Sequence, residues 1–534
     1  MRLGIKALAI VASMAVSLST GHALAQATQG IGVYGPEGWT VLRPSQDTKF
    51  IFVSSSTGND ANDGLSPERP KRTIDVARRG VRAGYPDWVL LKRGDSWTEE
   101  FRWSGNGRSL EEPMVVAAYG DGDLRPIVQA PSGKNGFYIG TGNLRFIAIT
   151  GMEFRAPPEG SGQSGIRIVA DTGEGLLIED CLVSGFKDNL SLISEETLGG
   201  FDVVQVRRNV IVDSAAPFGG HSQGMYCDAL NQLLIEGNIL DHNGWKENGT
   251  CPPTMFNHNI YVQDTCAPAI VRDNIIAQGS SHGLQLRVGG TAENNLFVRN
   301  ALAMHTSRND STIRRNVVLE GRDIDGSNPR GFGIEIKPIP SGVVEQNIIA
   351  HRRAASSGGY AFQLHNSDTG VTNFQVTIRN NIVYDWQDVA LVVRHPDLAL
   401  YNWIVVRDNL FVSNDASAMI RFLPTQFDAN KFQFWSNDYR TAQPSSSWFS
   451  IGGASLSLTN WKADTNEWNA QVVNPVFIDP ERTVDTYWQN VIGEPGGFNE
   501  FMAQARKMSR AAWDNRFSAT AVNAYIREGF GVQN

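Results

Sequence analysis

The chain has 534 residues and a formal net charge of −8, with 47 lysines and arginines against 55 aspartates and glutamates. This acidic balance argues against a general nucleic-acid-binding protein, and it means that any positively charged site is local. The chain contains 53 glycines, many asparagines and few segments of helical periodicity. That composition favours a solenoid, whose core grows by stacking, over two or three separate globular domains.

A secretory signal peptide is predicted over residues 1–25. Arg2 and Lys6 precede an apolar run at residues 7–18, and the segment Ala-Leu-Ala follows at residues 23–25. The run is too short to span a membrane, and no later stretch approaches about 20 uninterrupted apolar residues. We therefore expect a secreted or periplasmic protein, with a signal peptide of the Gram-negative type and no membrane span.

An oxygen-rich loop contains Asp60, Asn62 and Asp63. Carboxylate and amide oxygens are calcium ligands, so this loop is a candidate Ca²⁺ site, although it lacks the twelve-residue pattern with a terminal glutamate. Runs of Asp, Asn and Gly also form tight turns, and both interpretations stay open. Apart from this candidate Ca²⁺ site, the sequence indicates no cofactor, and no residue is assigned as a metal ligand.

A short motif, an asparagine followed by two apolar residues, recurs at intervals of 21 to 36 residues. Its asparagines are Asn209, Asn238, Asn274, Asn295, Asn316, Asn347, Asn381 and Asn409. A fixed strand motif at variable spacing is typical of stacked coils whose loops differ in length. Stacked asparagines can also hydrogen-bond to one another in a ladder. The repeat predicts a solenoid, with an antiparallel sandwich as the alternative.

A second recurring strand carries apolar residues at its second and fourth positions, which strand alternation sends inward. Its third and fifth positions then form two outward columns along coils about 4.8 Å apart. The fifth-position column is predicted to be Asp228, Gln263, Arg287, His305, Lys337, His365 and Arg394. The third-position column is predicted to be Tyr226, Tyr261, Gln285, Ala303, Glu335, Gln363 and Val392.

Stacked like charges in the fifth-position column need a compensating partner. We predict that an extended acidic polysaccharide lies along the coils, and a solvated basic face without a ligand is the alternative. The predicted substrate-binding residues are Asp228, Gln263, Gln285, His305, Glu335, Lys337, His365, Arg394 and Trp245.

The candidate catalytic residues are His258, His282, Tyr261 and Arg287, with the two histidines at equivalent positions of adjacent coils. Elimination at a uronate needs a group that neutralises the carboxylate, a base for the α-proton and an acid for the leaving oxygen. Arg287, with Lys337 or His305, suits the first role. His258 or His282 suits the second role, and Tyr261 suits the third. A strand-flanking histidine with only a structural hydrogen bond is the alternative for each ring.

The loop at residues 243–257 precedes the His258 strand and is predicted to border the binding face. Trp245 in this loop suits stacking on a sugar ring, or equally an anchoring role. Cys251 and Cys266 bracket a turn-rich segment, so in an oxidising compartment they form the plausible disulfide, with four unpaired thiols as the alternative.

Beyond about residue 430 the asparagine motif stops. Phe498, Phe501, Met502, Ala505, Met508 and Ala512 fit one helix, and Val522, Tyr525 and Ile526 fit another. We expect these helices to cover the C-terminal coils, which blunts an exposed sheet edge.

The segments Phe52–Ser54, Thr57–Gly64 and Thr73–Ala77 resemble the opening of secreted members of the pectate-lyase-like superfamily. The resemblance implies an all-β fold, a single-stranded right-handed parallel β-helix with an N-terminal cap helix at residues 74–82 and a C-terminal helical tail. The predicted division is a signal peptide at 1–25, a cap with the first coils at 26–135, the β-helix at 136–430 and C-terminal loops with a helical cap at 431–534.

The strand Ser281–Arg287 and the following Asn294–Phe297 resemble coils around the charge-neutralising arginine of alginate and chondroitin lyases and of mannuronan C5-epimerases. Where those lyases carry a catalytic lysine one coil earlier, this chain has Gln263, which favours a histidine base. Ser281-His282-Gly283 is also similar to the histidine motif of polygalacturonase-like hydrolases, whose closely spaced aspartate pair has no counterpart here.

The sequence thus predicts a monomeric polysaccharide lyase that acts on an acidic polysaccharide by β-elimination. C5-epimerisation shares the first step and stays open. A glycoside hydrolase would have to use Asp228, Asp264 or Glu335. A polysaccharide-binding protein without catalysis is the third alternative, because scaffolds alone do not decide function.

Overall fold

A computed structural model describes residues 30–140, 142–160, 162–216, 220–325, 330–352, 358–365, 370–415 and 417–533. The predicted signal peptide lies outside these residues. Within them, no helix has the length and apolar character needed to cross a membrane.

Three parallel sheets of 14 strands each form the walls of a β-helix in the described residues. The first sheet contains Phe50–Val53, Trp88–Lys92, Met114–Tyr119, Asn143–Thr150, Thr172–Glu179, Phe201–Arg207, Leu233–Glu236, Ala269–Arg272, Gly290–Glu293, Ser311–Arg314, Gly342–Glu345, Gln375–Arg379, Trp403–Arg407 and Phe432–Trp435. The second sheet contains Ser96–Thr98, Ile127–Gln129, Glu153–Arg155, Leu182–Ser184, Val210–Val212, Ile239–Asp241, Ile275–Ala277, Leu296–Val298, Val317–Leu319, Ile348–Arg352, Ile382–Trp386, Leu410–Ser413, Asp438–Thr441 and Gln471–Val472.

The third sheet carries the candidate site. It contains Phe101–Arg102, Phe137–Gly140, Ser164–Val169, Asp188–Ile193, Gln223–Asp228, His258–Val262, His282–Leu286, Leu302–Thr306, Phe332–Ile336, Tyr360–Leu364, Val389–Val393, Ala418–Phe422, Phe449–Ile451 and Ala454–Leu456. Its last two strands pair antiparallel, as does a separate hairpin of Val33–Tyr34 with Thr40–Val41. The predicted parallel β-helix is confirmed, and its coils run from Phe50 to Val472.

The asparagine motif forms a buried ladder at the corner between the first and second sheets. The backbone N–H of each ladder asparagine donates to the side-chain oxygen of the asparagine one coil further on, over 2.9–3.1 Å. The side-chain N–H groups repeat this contact and also donate to backbone carbonyls. The ladder continues to Asn437, which the repeat pattern missed because Asp and Tyr follow it.

The corner geometry explains why this residue type recurs. The residue before each ladder asparagine has a positive φ, for example +49° at Arg208 and +58° at Asp273. This left-handed conformation turns the chain sharply, and the asparagine side chain then satisfies the N–H of the neighbouring coil. Inside the corners, apolar side chains of all three sheets form one continuous core.

Both ends of the coil stack are covered. At the N-terminal end lies helix Ile74–Arg78, shorter than the predicted 74–82; the Thr73 side chain caps it, and Glu99 accepts from the Ile74 and Asp75 N–H groups. At the C-terminal end, helix Leu458–Thr465 places Trp461 against the last core rings, at 5.3 Å from Phe434 and 4.9 Å from Phe449.

Glu467 ends the asparagine ladder. Its carboxylate accepts 2.6–3.1 Å hydrogen bonds from Trp461, Asn437 and Tyr439. The side chain is 1% exposed, and burial raises the pKa of this carboxyl.

The C-terminal tail was expected to cover the C-terminal coils, and it does so in part, since Phe530 packs on Tyr384 with 5.5 Å between ring centroids. Its helical segments are Val484–Tyr487, Trp488–Ile492, Phe498–Ala505, Arg510–Ala512, Asn515–Phe517 and Ala519–Gly529. They lie along the second sheet and reach back to early coils, because Arg506 pairs with Asp213 and Asp241. The returning helix binds the middle coils through the Asn523 amide and the Asn294 carbonyl, 2.9 Å apart.

The Asp60 loop forms a tight turn. The Asp60 carboxylate accepts the N–H groups of Arg72 and Thr73 at 2.9 and 3.0 Å, and Asp63 accepts that of Leu65 at 3.0 Å. Asn62 donates to the Pro70 carbonyl at 3.0 Å. These contacts tie the loop to the cap helix and give its side chains a structural role.

We expect Asn295→Ala to lower the free energy of unfolding by about 3 kcal/mol, because it leaves the Asn274 N–H and the Val271 carbonyl buried without partners. The measurement is denaturant unfolding followed by circular dichroism. Asn430→Ala, at an exposed turn position, is the control and should change little. A wild-type midpoint for Asn295→Ala would contradict a stabilising role for the ladder.

Candidate active site

The third sheet brings the predicted site residues onto one face, with one correction of register. Strand pairing places His305 opposite Gln285 and Glu335, so it belongs to the third-position column. Ser307 takes its place in the fifth-position column, since its N–H donates to Leu286 as the Arg287 N–H does to Val262. The alternation of apolar residues predicted the wrong column for His305 because three consecutive residues of this strand, Leu302 to Met304, are all apolar and buried.

With His305 in the third-position column and Ser307 in the fifth, the two columns differ in how deeply their side chains are buried. In the fifth-position column, Asp228, Gln263, Arg287, Lys337 and His365 are half-buried and Arg394 is exposed. In the third-position column, Tyr261 and Gln285 are half-buried, whereas His305, Glu335 and Gln363 are buried. The outer column therefore presents side chains to solvent, and the inner column forms the floor beside it.

His258 and His282 lie together at the start of their strands. Their Nδ1 atoms are 3.2 Å apart, and the Ser281 hydroxyl lies 3.0 Å from Nδ1 of His282. Both rings are buried, and burial lowers the pKa of each well below its usual range, so both are neutral. The Gln223 side chain accepts the His258 N–H at 2.8 Å.

A second asparagine stack, which the sequence analysis missed, supports this corner. The side-chain N–H of Asn243 donates to Asn259 at 2.8 Å, and that of Asn259 donates to Asn300 at 3.3 Å. Asn259 directly follows His258, so the stack fixes where the His258 strand begins. The repeat search did not find it because these asparagines are followed by different residue types.

Arg287 and Tyr261 form the second part of the site. Arg287 Nη1 donates to the Tyr261 hydroxyl at 2.7 Å and to the Gln263 side-chain oxygen at 3.0 Å. The guanidinium also lies 3.8 Å from Asp264, which pairs more closely with Arg308 at 2.7 Å. The Tyr261 ring packs edge-on against His258, with 5.1 Å between ring centroids. Arg287, Tyr261 and His258 are thus contiguous.

Glu335 is the third part and accepts from several neighbours. Oε2 lies 2.7 Å from His305 Nδ1, and Oε1 accepts from Gln363 at 2.9 Å. Burial favours a raised pKa for the Glu335 carboxyl, but the hydrogen bonds from His305 and His365 and the charge of Lys337 hold that pKa well below its usual range. Burial lowers the pKa of His305, so a neutral imidazole faces an ionised carboxylate.

Some predicted residues have other positions. Arg394 lies two coils beyond Lys337, at the far end of the face. Trp245 is 9% exposed, its indole N–H donates to the Gln278 carbonyl at 2.9 Å, and its ring packs on His242 at 4.4 Å. These contacts make Trp245 an anchor of its loop.

Arg330 and Asp188 escaped the sequence analysis. The Nε and Nη2 atoms of Arg330 are buried without a hydrogen-bond partner in the described part of the chain, and its charge contributes to the lowered pKa of His258. Arg330 precedes its strand and has no periodic signal. Asp188 is two coils before His258, and burial raises its carboxyl pKa to about 6. In the strand register Asp188 aligns with Gln223 and His258, at a position before the alternating part of the strand. This alignment with a candidate catalytic histidine was the sequence signal that could have identified Asp188.

The predicted Cys251–Cys266 disulfide is wrong, because all four cysteines are free and buried. Cys251 Sγ accepts the Ala216 N–H at 3.2 Å, and Cys266 Sγ accepts the Leu230 N–H at 3.4 Å. Each thiol thus accepts a backbone N–H of the preceding coil.

The thiol state has a direct test. We expect a thiol reagent to label four cysteines in the denatured protein and to react slowly with the native protein, because burial keeps the thiols protonated and inaccessible. The same titration without reductant provides the comparison. Two labelled thiols after unfolding would instead support a disulfide.

The sequence model of the family described as "Right handed beta helix region" matches residues 135–318 and 258–432, more than half of the chain. A lacto-N-biosidase from Bifidobacterium longum subsp. longum is 29% identical over 140 residues, which are 25% of this chain and only 8% of that protein.

Two solved structures have a similar course of the chain. XylC in complex with xylose aligns with a TM-score of 0.46 and 11% identity, over 68% of this chain and 83% of that chain. A mannuronic acid specific polysaccharide family 6 lyase from the human gut microbiota aligns with a TM-score of 0.43 and 15% identity, over 76% and 91%.

Proposed function

Because this chain belongs to the right-handed β-helix family, we propose that it is a carbohydrate-active enzyme that uses one sheet face to cleave an acidic, uronate-containing polysaccharide by β-elimination. Equivalent positions of successive coils suit an extended polymer. The signal peptide predicted at residues 1–25 supports a reaction outside the cytoplasm, in the periplasm or the medium.

One arrangement carries the proposal. Arg287 Nη1 lies 2.7 Å from the Tyr261 hydroxyl, and the Tyr261 ring contacts His258. A carboxylate-neutralising group and two proton-transfer groups therefore meet on two neighbouring coils. The Arg287 side chain is 33% exposed, so part of its guanidinium is available to a ligand.

The reaction assigns one task to each group. Arg287 pairs with the uronate carboxylate, which makes the adjacent C–H more acidic. His258 takes that proton, the electron pair forms a carbon–carbon double bond, and the bond to the glycosidic oxygen breaks. Tyr261 donates its proton to the leaving oxygen, and a proton from His258 then restores the phenol. His282 holds the His258 ring in place.

The outer column supplies binding. Lys337 is two coils beyond Arg287, about 9.6 Å along the solenoid axis at the usual strand spacing. A cation at this distance suits a second acidic group of an extended chain that lies parallel to the axis. His365 and the exposed Arg394 continue the column in the same direction.

We expect the purified protein to produce unsaturated uronate from at least one polymer in a panel of alginate, pectate, glycosaminoglycans and bacterial exopolysaccharides. Ultraviolet absorbance of the conjugated product is the measurement. Arg287→Met should lower kcat/KM roughly a hundredfold or more, since it removes the charge that stabilises the intermediate. His258→Ala should have a similar effect through loss of the base.

Arg440→Met, a change of an exposed arginine on the second sheet, is the matched control and should keep wild-type activity. Circular dichroism and thermal unfolding establish that each variant is folded. Folded Arg287→Met and His258→Ala variants with wild-type activity would contradict the assigned roles.

Glycoside hydrolysis is the second candidate, because 140 residues are 29% identical to a lacto-N-biosidase. A hydrolase needs two carboxyl groups beside the scissile bond. Asp264 is engaged by Arg308, and Glu335 by His305 and Gln363, which favours elimination over hydrolysis. New reducing ends without the unsaturated product would support hydrolysis, and exchange of the C5 proton without cleavage would support epimerisation.

A further inference from the structure

Three buried side chains on adjacent coils form a cluster of potential metal ligands. His282, His305 and Glu335 each offer one ligand atom, and these atoms all lie within 4.8 Å of one another. The three residues are 2–8% exposed and lie beneath the outer column. The proposed elimination leaves His305 and Glu335 without an assigned task.

The remaining polar atoms of the three residues are held by neighbours. His282 Nδ1 lies 3.0 Å from the Ser281 hydroxyl, and His305 Nε2 lies 3.2 Å from the Ser307 hydroxyl. Glu335 Oε1 accepts from Gln363 at 2.9 Å. His305 Nδ1 and Glu335 Oε2 are hydrogen-bonded to each other over 2.7 Å. An ion bound by His282 Nε2, His305 Nδ1 and Glu335 Oε2 takes the place of this hydrogen bond, and the His305 proton moves to Nε2. Outer partners of this kind fix the ring orientation and tautomer of metal-binding histidines.

Two unsatisfied oxygens flank the cluster. Oε1 of Gln285 and Oε1 of Gln363 are buried and have no hydrogen-bond donor among the residues that the structure describes. Gln285 is the register partner of His305, and Gln363 is that of Glu335. A buried acceptor without a donor is costly, and a cation with bound water supplies the missing positive partner.

We propose that His282, His305 and Glu335 bind one divalent metal ion of the zinc type. Two imidazoles and one carboxylate suit Zn²⁺ and similar transition metals, whereas Ca²⁺ prefers sites made entirely of oxygen. Three protein ligands leave a position for water or a substrate oxygen. In this arrangement His305 binds through Nδ1 and carries its proton on Nε2, which donates to Ser307.

Lys337 provides a specific check on the sign of the bound charge. Its Nζ lies 3.8 Å from Glu335 Oε2, on the side of the proposed ion. A metal and an ammonium group repel each other, so loss of Lys337 strengthens cation binding. An anion at the same place responds in the opposite way.

The test uses the mature protein freed of metal with a chelator. Isothermal titration with ZnCl₂ and metal analysis after dialysis should give one bound equivalent, and Co²⁺ should give the visible absorption of a four-coordinate site. His305→Ala and Glu335→Gln should abolish stoichiometric binding. Ser307→Ala should weaken it about 10–100-fold, as is usual for an outer partner, and Lys337→Met should tighten it.

His395→Ala is the matched control, because His395 lies outside the cluster and its Nδ1 accepts the Asp397 N–H; it should bind like the wild type. The proposal is overturned if the wild type takes up neither Zn²⁺ nor Co²⁺, or if folded His305→Ala and Glu335→Gln bind as the wild type does. It is also overturned if Lys337→Met weakens binding. The cobalt spectrum of the wild type decides the matter even if the variants do not fold. Because metal binding is measured without substrate, its failure is distinct from failure of the elimination assay.

Discussion

The vertical register of the coils is the constraint on which the site depends. Each coil is tied to the next at one corner by a buried asparagine, whose side-chain oxygen receives the N–H of the preceding coil's asparagine at 2.9–3.1 Å. Loops of different length project from the coils without disturbing this corner. Because the register is fixed, His258 and His282 meet although 24 residues separate them in sequence.

The charged groups of the third sheet lie in two layers, an outer column in contact with solvent and a buried inner column. The outer column exposes cations, of which Arg287 is the most closely held, while Glu335 lies in the buried column beneath. An ionised carboxylate in that position is stable only because His305, Gln363 and nearby cations surround it. The carboxylate in turn attracts the cation Lys337 of the outer column, whose Nζ lies 3.8 Å away. Binding and positioning are thus assigned to different layers of one sheet.

Much of this architecture was predictable from sequence, since the asparagine motif and the alternation of apolar residues both have direct physical causes. The prediction failed where those causes were ambiguous or distant. His305 was assigned to the wrong column because Leu302, Ala303 and Met304 satisfy burial in either register. The course of the tail depends on Arg506 and its partners Asp213 and Asp241, more than 260 residues away, and local periodicity carries no information on that contact.

Ser307 connects the two halves of the site. Its hydroxyl lies 3.2 Å from His305 Nε2 and donates to the Arg287 carbonyl at 3.1 Å. A shift of the His305 ring therefore alters the hydrogen bond between Ser307 and the backbone carbonyl of Arg287, the residue proposed to neutralise the substrate carboxylate. This link depends on the observed register, in which Ser307 lies in the outer column and His305 in the inner one. The buried cluster of His282, His305 and Glu335 thus lies beside the strand end that carries Arg287, and Ser307 couples the two.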